Sequence, residues 1–480
     1  MSTEPGRMRG EPAGGSRREA ARRRRGRTFA ATFAIVVGVL AAVGLAGAAA
    51  SVATGPRVTD VRVDPAAAVA ASGSRLILTT SQSLADVDAS QVTIEPATPF
   101  AVDTSGRSIG IRFALPLWEG TEYTVTIVDV QGLGGGPAST IVESFTTPPA
   151  EVYLLQRSTS GDDAIFLTDL GGESAVPVFT HPHIEDFRAT ASHLVVSVRD
   201  DADDTAALIV AGRDGADPRE LALPGDGYLS NLQSADRGDL VGYTYSDREL
   251  GEAEGRESML YTVSVKDAAA EPTRIEVPGA DPRVAEWRFV PDTDSILLLS
   301  FDGSLLLTGS GSAATALGTA LSIDGIARGS SEAVVERFDQ LSVIDLTDAS
   351  EEPLVEPDDD LGALGDVLPL PDGSTLRTSA ELGADGFPSG RTSVALVAAD
   401  GSARVLFEAS AADAVLQTCV SPSSRYVAIL VAPDAVANPY DTYQLPLPER
   451  LETHVLELAD GAEVVALAGS SISWCQVGPG

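Results

Sequence analysis

One strand pattern recurs along the chain from residue 150, and this repetition constrains the fold more than any other feature of the sequence. Each unit has an apolar strand, a second strand that ends in Asp or Gly, and a short third strand. The apolar strands are predicted to start near Val152, His193, Asp239, Ser295, Ala333, Thr375 and Arg425. A further strand precedes most units and brings the number of strands to four. Seven such units of about 40–50 residues are typical of a β-propeller. The sequence therefore predicts an all-β chain with a seven-bladed β-propeller over residues 150–478.

The ends of this region predict how the propeller closes. Units two to seven are each preceded by a further strand, which takes the innermost position of its blade. Unit one has no such strand, because Pro148 and Pro149 come directly before it. A matching strand, Ser471–Val477, lies at the C-terminus with no unit after it. We expect this segment to complete the first blade and so to remove the open edges of the ring.

Cys419 and Cys475 are the only cysteines of the chain. By the alignment of units they hold equivalent places on the innermost strands of blades seven and one, which are neighbours in a closed ring. In an oxidising compartment a disulfide bond between them would fix the C-terminal strand. The alternative is two buried free thiols, if the Cα atoms lie beyond the range of about 4.4–6.8 Å.

Several turns of the repeats resemble the turns of a known propeller group. Pro371-Asp372-Gly373-Ser374 and Ser421-Pro422-Ser423-Ser424 are similar to the "SPDG" turns of TolB-type and WD-repeat-like propellers. The WD dipeptide is absent, which places the repeats nearer the TolB type. The resemblance implies the fold and leaves the function open.

Residues 57–147 show short alternating strands separated by turn residues, a pattern that predicts a small antiparallel sandwich. The segments Leu115–Leu117, Glu119–Val125 and Phe145–Pro148 resemble the bacterial Ig-like domains of S-layer and other surface proteins. The resemblance implies an Ig-like β-sandwich that serves as a spacer or adhesion module.

The N-terminus predicts export and anchoring. Residues 1–28 form a basic tail, and residues 29–54 are predicted to be a transmembrane helix, because Phe29–Ala53 carries no charge and no Pro. The arginines before it keep that flank in the cytoplasm and place the C-terminal domains outside the cell. A cleavable signal peptide is the alternative reading of this segment. The chain thus resembles an actinobacterial-type envelope protein, single-pass in the cell membrane and anchored to the lipid bilayer.

The charge and the polar clusters limit the chemistry. A formal net charge of −36 repels phosphates, so no nucleic acid partner is expected. The acidic runs at 162–163, 200–204 and 358–360 lack calcium-loop spacing and are expected to be solvated turns. His181 and His183 have no third ligand in view, so no metal and no cofactor are expected. With four histidines and no G-x-S-x-G motif, the chain is expected not to be an enzyme.

We therefore expect the propeller to act as an interaction platform for an unknown envelope protein or glycan. The long insert Ala432–Leu451, with Tyr440 and Tyr443, is a candidate interaction loop, and a solvated excursion is the alternative. The alternative function is an envelope glycan hydrolase or lyase with a pair of channel carboxylates. Glu286 and Asp324 are candidate carboxylates for such a site, although the sequence alone does not pair them.

Overall fold

The computed structural model describes residues 29–45, 47, 54–172, 174–200, 205–236, 239–251, 255–309 and 314–479. Helix α1 covers residues 29–45, and its side chains are exposed. Within the described ranges, no helix combines the length and the hydrophobicity that crossing a bilayer requires. The predicted basic tail, 1–28, and the end of the predicted span at 48–53 lie outside the described residues.

Residues 58–146 fold into two antiparallel sheets that pack on each other. The sheets have the strand orders β1-β2-β5-β4 and β3-β6-β7. Their strands are β1 (Val58–Arg62), β2 (Arg75–Thr80), β3 (Val92–Glu95), β4 (Phe100–Ser105), β5 (Ser108–Phe113), β6 (Glu122–Val130) and β7 (Ser139–Thr146). Helix α2 (Pro65–Ala70) follows β1, and a single helical turn, η1 (Ala89–Gln91), precedes β3. We call this unit the sandwich.

Alternating burial explains why these strands form two layers. In β2 every second side chain is buried, and β6 shows the same alternation over most of its length. The buried positions of both sheets meet in one core that includes Leu76, Ile109 and Val125. Trp118 is 36% exposed, because it lies at the boundary with the next domain.

Seven successive antiparallel sheets follow, which we number as blades one to seven in chain order. Blade one contains β8 (Glu151–Gln156), β9 (Asp163–Asp169) and β10 (Ala175–His181), and blade two contains β11 (Ile184–Ala189), β12 (His193–Asp200), β13 (Thr205–Gly212) and β14 (Arg219–Leu221). Blade three contains β15 (Gly227–Ser234), β16 (Leu240–Asp247), β17 (Met259–Ser264) and β18 (Thr273–Arg274). Blade four contains β19 (Val284–Phe289), β20 (Ile296–Ser300), β21 (Ser304–Thr308) and β22 (Thr315–Thr319). Blade five contains β23 (Ser322–Ile326), β24 (Glu332–Glu336), β25 (Leu341–Asp345) and β26 (Glu351–Pro353). Blade six contains β27 (Ala363–Pro369), β28 (Thr375–Leu382), β29 (Pro388–Val397) and β30 (Ala403–Ala409). Blade seven contains β31 (Ala414–Val420), β32 (Tyr426–Ala432), β33 (Glu452–Glu457) and β34 (Glu463–Ala468), with the turn η2 (Ala435–Ala437) between β32 and β33.

The sheets form a closed ring, so this part of the chain is a β-propeller. The first strands of neighbouring blades contact each other from β11 through β31. Blades seven and one share a hydrophobic core in which Val152 and Leu154 pack with Tyr426 and Val455. The predicted starts of the apolar strands agree with β8, β12, β16, β20, β24, β28 and β32 to within one residue.

The C-terminal segment lies where the sequence predicted, although it is not a regular strand. Leu155 and Ser470 exchange two backbone hydrogen bonds of 2.9 Å, and Ser473 donates to the carbonyl of Tyr153 at 3.0 Å. After Ser470 the backbone turns, with a positive φ of 51° at Ser471 and a bond from the amide of Cys475 to the carbonyl of Ile472. The prediction of a strand over 471–477 is therefore wrong, because this turn interrupts the pairing.

Antiparallel order separates the connections of the propeller into two faces. Connections between the first and second strands and between the third and fourth strands lie on one side, which we call the sandwich face because the sandwich contacts it. Connections between the second and third strands, and from each fourth strand to the next blade, lie on the opposite side, which we call the loop face.

The first strands of blades two to seven all contain a β-bulge or a register irregularity. In blade five the irregularity falls between Ile323 and Gly325, so Asp324 is the extra residue. A bulge bends its strand and re-aims a side chain. The recurrent bulges thus set which side chains line the central channel.

Candidate functional site

The central channel holds a cavity of about 920 Å³, a volume in the range of small-ligand sites. It is lined by residues of the first strands of blades three to seven and by the C-terminal segment. Its charged side chains are Glu286, Arg288, Asp324, Glu336 and Asp366, together with Arg328 at one end. The charged groups that line the channel are therefore predominantly acidic.

The structure brings together Glu286 and Asp324, the two carboxylates that the sequence suggested without pairing them. Glu286 Oε2 accepts a 2.9 Å bond from the amide of Ile323, next to Asp324, and lies 3.9 Å from Arg288 Nη2. Asp324 Oδ1 accepts a 2.8 Å bond from the hydroxyl of Ser322. Burial raises the pKa of Asp324 to about 6, and the nearby carboxylates Asp366, Glu336 and Glu286 add to the shift. Asp324 thus changes protonation near pH 6.

Arg328 marks one end of the channel. It follows the first strand of blade five and donates a 3.2 Å bond across the ring to the carbonyl of Trp474. It also lies 3.7 Å from Asp236 of blade three. Because Arg328 and Trp474 line both the channel and a second cavity of about 410 Å³, they form the boundary between the two.

The second cavity lies between the sandwich and the propeller. Its walls combine helix α2 of the sandwich with turns of the sandwich face. Ser72, directly after this helix, hydrogen bonds to Asp292 of blade four. The sandwich therefore covers the channel end at which Arg328 lies.

Arg425 of blade seven makes the most extensive side-chain contact between the sandwich and the propeller among the described residues. Its Nη1 donates to the carbonyl of Glu119 at 2.9 Å and to the hydroxyl of Thr121 at 3.2 Å. Its guanidinium carbon lies 5.5 Å from the ring centre of Trp118 and 4.9 Å from that of Tyr426. Cation–π contact and hydrogen bonds together fix the sandwich on this face.

The predicted disulfide bond is present. Cys419 of β31 and Cys475 are bonded with a Cα–Cα distance of 5.3 Å, which lies inside the required range. Trp474, next to Cys475, stacks on Tyr426 with ring centres 5.9 Å apart. The bond therefore joins the C-terminal segment to blade seven while its backbone pairs with blade one.

The structure places Tyr443 of the long insert against blade one. Its hydroxyl lies 2.9 and 2.8 Å from the two carboxylate oxygens of Asp163. Arg157 lies 4.2 Å from the Tyr443 ring centre and forms a 2.8 Å ion pair with Asp441 of the same insert. The insert therefore forms a second connection between blades seven and one. Tyr440, by contrast, is 61% exposed on the loop face.

Asp163 differs from the solvated turn that the acidic pattern predicted. It is fully buried, and besides Tyr443 it accepts bonds from the amides of Ser158 at 2.8 Å and Ile184 at 2.7 Å. A buried carboxylate needs such partners. The exposed run 358–360 agrees with the prediction, whereas 201–204 lies outside the described residues.

The remaining polar candidates are dispersed. His181 Nδ1 accepts from the amide of His183 at 3.2 Å, and the His183 ring packs edge-on against Tyr443. Over the described ranges, no group of three or more His, Cys, Asp or Glu residues has the geometry of a metal site. Sequence reasoning missed Arg328 and Arg425, because nothing in the strand pattern shows which turns meet across the ring or under the sandwich.

No family model matches this chain, and no curated protein matches it. Solved structures with a similar fold include a protein described as a TolB from Agrobacterium tumefaciens, with 13% identity, 67% of this chain and 90% of that chain covered, and a TM-score of 0.35. A prolyl endopeptidase matches with 10% identity, 78% and 50% coverage, and a TM-score of 0.49. An acylaminoacyl peptidase matches with 10% identity, 72% and 51% coverage, and a TM-score of 0.44.

These comparisons correct one expectation from sequence. Two of the three structures are peptidases, so the prediction that the chain is not an enzyme is wrong as an exclusion. At 10% identity the likeness transfers neither a substrate nor a catalytic residue to this chain.

Proposed function

We propose that the propeller is a protein-interaction platform. The observation that carries this proposal is the position of the sandwich, which covers one end of the channel and leaves the loop face uncovered by the other described domain. Propeller connections are suited to binding because the blades hold them rigidly while their sequences vary freely. The proposed binding surface is therefore already formed before a partner binds, and it does not depend on a segment that folds on binding.

We further propose that the platform is held at the outer surface of the cell membrane. The uncharged run Phe29–Ala53 and the arginines before it support this location. Helix α1 exposes large apolar side chains, including Phe29 at 74% and Leu45 at 73%, which a bilayer would cover. In this proposal the sandwich is an Ig-like spacer between the membrane and the propeller.

Chemical crosslinking of the full-length chain in envelopes of its source cells tests the platform. We expect crosslinked partner peptides to map to the loop face. A chain that is recovered from membranes but crosslinks to no other protein would overturn the proposal. Protease treatment of intact cells tests the location separately: digestion of the propeller is expected, and full protection contradicts an outer position.

A second candidate function is cleavage of a glycan in the channel, by a hydrolase or a lyase reaction. One observation favours this function. Glu286 and Asp324 line the same cavity, and Asp324 has the raised pKa that a general acid requires. Incubation of the full-length chain with purified cell-wall glycan tests this function. Release of reducing ends that is lost in Asp324→Asn supports it, and equal release by the two proteins contradicts it.

A further inference from the structure

The exposed large apolar side chains of the propeller connections are confined to one face. Five of them lie between the second and third strands of five consecutive blades: Leu250, Phe301, Phe338, Phe387 and Val436. Their exposed fractions run from 51% to 99%. Within the described ranges, no connection on the sandwich face carries such a residue. We call these five residues the apolar tips.

This distribution differs from the scatter of single exposed apolar residues that ordinary surfaces show. Phe338 is 94% exposed and Phe387 is 70% exposed, so neither ring is covered by the chain itself. Both stand at the ends of tight turns that paired strands hold in place. Paired strands thus hold the turns that carry these two tips, which lowers the entropy that binding costs.

Acidic residues dominate the surroundings of the tips. The connection from blade five to blade six carries exposed carboxylates at Asp358, Asp359 and Asp360. Several arginines of the loop face already pair with acidic side chains: Arg157 with Asp441, Arg256 with Asp247, Arg283 with Asp281, Arg337 with Glu351, and Arg450 with Asp434. The loop face therefore presents negative charge around its apolar tips.

This combination selects among the possible occupants. Apolar tips could insert into a bilayer, but an acidic surface is repelled by anionic lipid. Nucleic acid is excluded by the same repulsion. A protein surface with Lys or Arg around apolar pockets complements both features, since opposite potentials steer association and apolar side chains bury area.

We propose that the loop face binds a basic protein, whose apolar pockets receive the tips on blades three to seven. This inference rests on the platform proposed above and names the face and the chemistry of the partner. A random-peptide display library selected against the immobilised full-length chain tests it. We expect enrichment of peptides that combine Lys or Arg with aromatic or aliphatic residues, and binding about tenfold weaker when salt rises from low to physiological concentration.

The triple variant Phe301→Ser, Phe338→Ser, Phe387→Ser should weaken binding of the enriched peptides at least tenfold. The matched control Leu133→Ser, Val142→Ser removes exposed apolar side chains of the sandwich, and it should bind like the unaltered chain. The three altered positions and the two control positions are all exposed, so unchanged thermal unfolding is expected for both variants. A third variant, Asp358→Asn, Asp359→Asn, Asp360→Asn, should mainly slow association.

Enriched peptides without positive charge, equal binding by the triple variant, or no enrichment at all would each overturn this inference. A different result would refute the platform proposal itself, namely that crosslinking in envelopes captures no partner protein. Crosslinks to a neutral or acidic protein would leave the platform standing and refute the basic partner.

Discussion

The carboxylate of Glu119 in the sandwich accepts a hydrogen bond of 3.0 Å from the hydroxyl of Ser423 in blade seven. Both residues are buried, at 8% and 4% exposure, so the contact lies inside the boundary between the two domains. Buried polar contacts of this kind hold two surfaces in one orientation, because separating them leaves each group without its partner. The sandwich and the propeller are therefore expected to unfold as coupled units.

Arg425→Ala should uncouple the sandwich from the propeller. The change removes the stacking on Trp118 and the hydrogen bonds to Glu119 and Thr121, a loss of about 2–3 kcal/mol. Calorimetry should then resolve two thermal transitions where the unaltered chain shows one. Arg391→Ala serves as the control, since Arg391 is 71% exposed and contacts the boundary nowhere. A single transition at an unchanged temperature in Arg425→Ala would contradict the coupling.

Glu119 should make stability depend on pH. Burial raises the pKa of Glu119 above its ordinary value of 4.5, and this effect exceeds the opposing effects of Ser423 and Arg425. A carboxyl with a raised folded-state pKa binds more protons when folded, so stability is highest below pH 4.5 and falls as pH rises through the folded pKa. Glu119→Gln keeps an acceptor for Ser423 and should flatten this decline in urea unfolding at a series of pH values. A slope that persists in Glu119→Gln would assign the dependence to other groups.

The repeats predicted most of the propeller because each blade is specified locally. Apolar strands such as Leu297–Leu299 are continuous because both sides of a blade are buried, and turn residues mark their ends. The closure around Cys475 followed from the same register. The turn at Ser471 could not be predicted, since a positive φ at a serine leaves no pattern in the sequence.

The candidate sites were less predictable because they depend on contacts between distant segments. Asp163 and Tyr443 are 280 residues apart, and nothing in either local sequence indicates that they meet. Glu286 and Asp324 were identifiable as inner-strand carboxylates, yet the bulge that re-aims Asp324 is visible only in the paired strands. The apolar tips lie in connections of five different blades, and their common face follows only from the strand topology.

Removal of the disulfide bond should destabilise the propeller. Cys419 and Cys475 are 56 residues apart in sequence. A crosslink over a loop of this length lowers the conformational entropy of the unfolded chain and so raises the free energy of unfolding by about 2–4 kcal/mol. Cys419→Ser, Cys475→Ser should therefore unfold at lower urea concentration. The unaltered chain with a reductant should match the double variant. Equal midpoints with and without reductant would show that the bond contributes little to stability.

Tyr443→Phe should weaken the second connection between blades seven and one. The phenol is the partner of both carboxylate oxygens of the buried Asp163, and its loss is expected to cost about 1–3 kcal/mol. Limited proteolysis should then cut the insert 433–451 faster. Tyr440→Phe is the matched control, because the Tyr440 side chain is exposed and its change should leave the cleavage rate unaltered. Faster cleavage in both variants, or in neither, would argue against a specific role for the Tyr443 hydroxyl.

Asp324 should destabilise the propeller at neutral pH, because burial and nearby carboxylates disfavour its ionised form. Its pKa rises from 3.8 to about 6 on folding, so the folded state binds more protons between these values. Stability contributed by the protonated form is present below pH 3.8 and is lost as pH rises through 6. Asp324→Asn keeps the acceptor for Ser322 and should be about 2 kcal/mol more stable at pH 7.5, a figure discounted for partial exposure. At pH 3.5 the two proteins should unfold alike, whereas the control Asp162→Asn, at an exposed position, should show no difference at either pH. Equal stability of Asp324→Asn and the unaltered chain at pH 7.5 would mean that the channel is hydrated enough to hold this charge without cost.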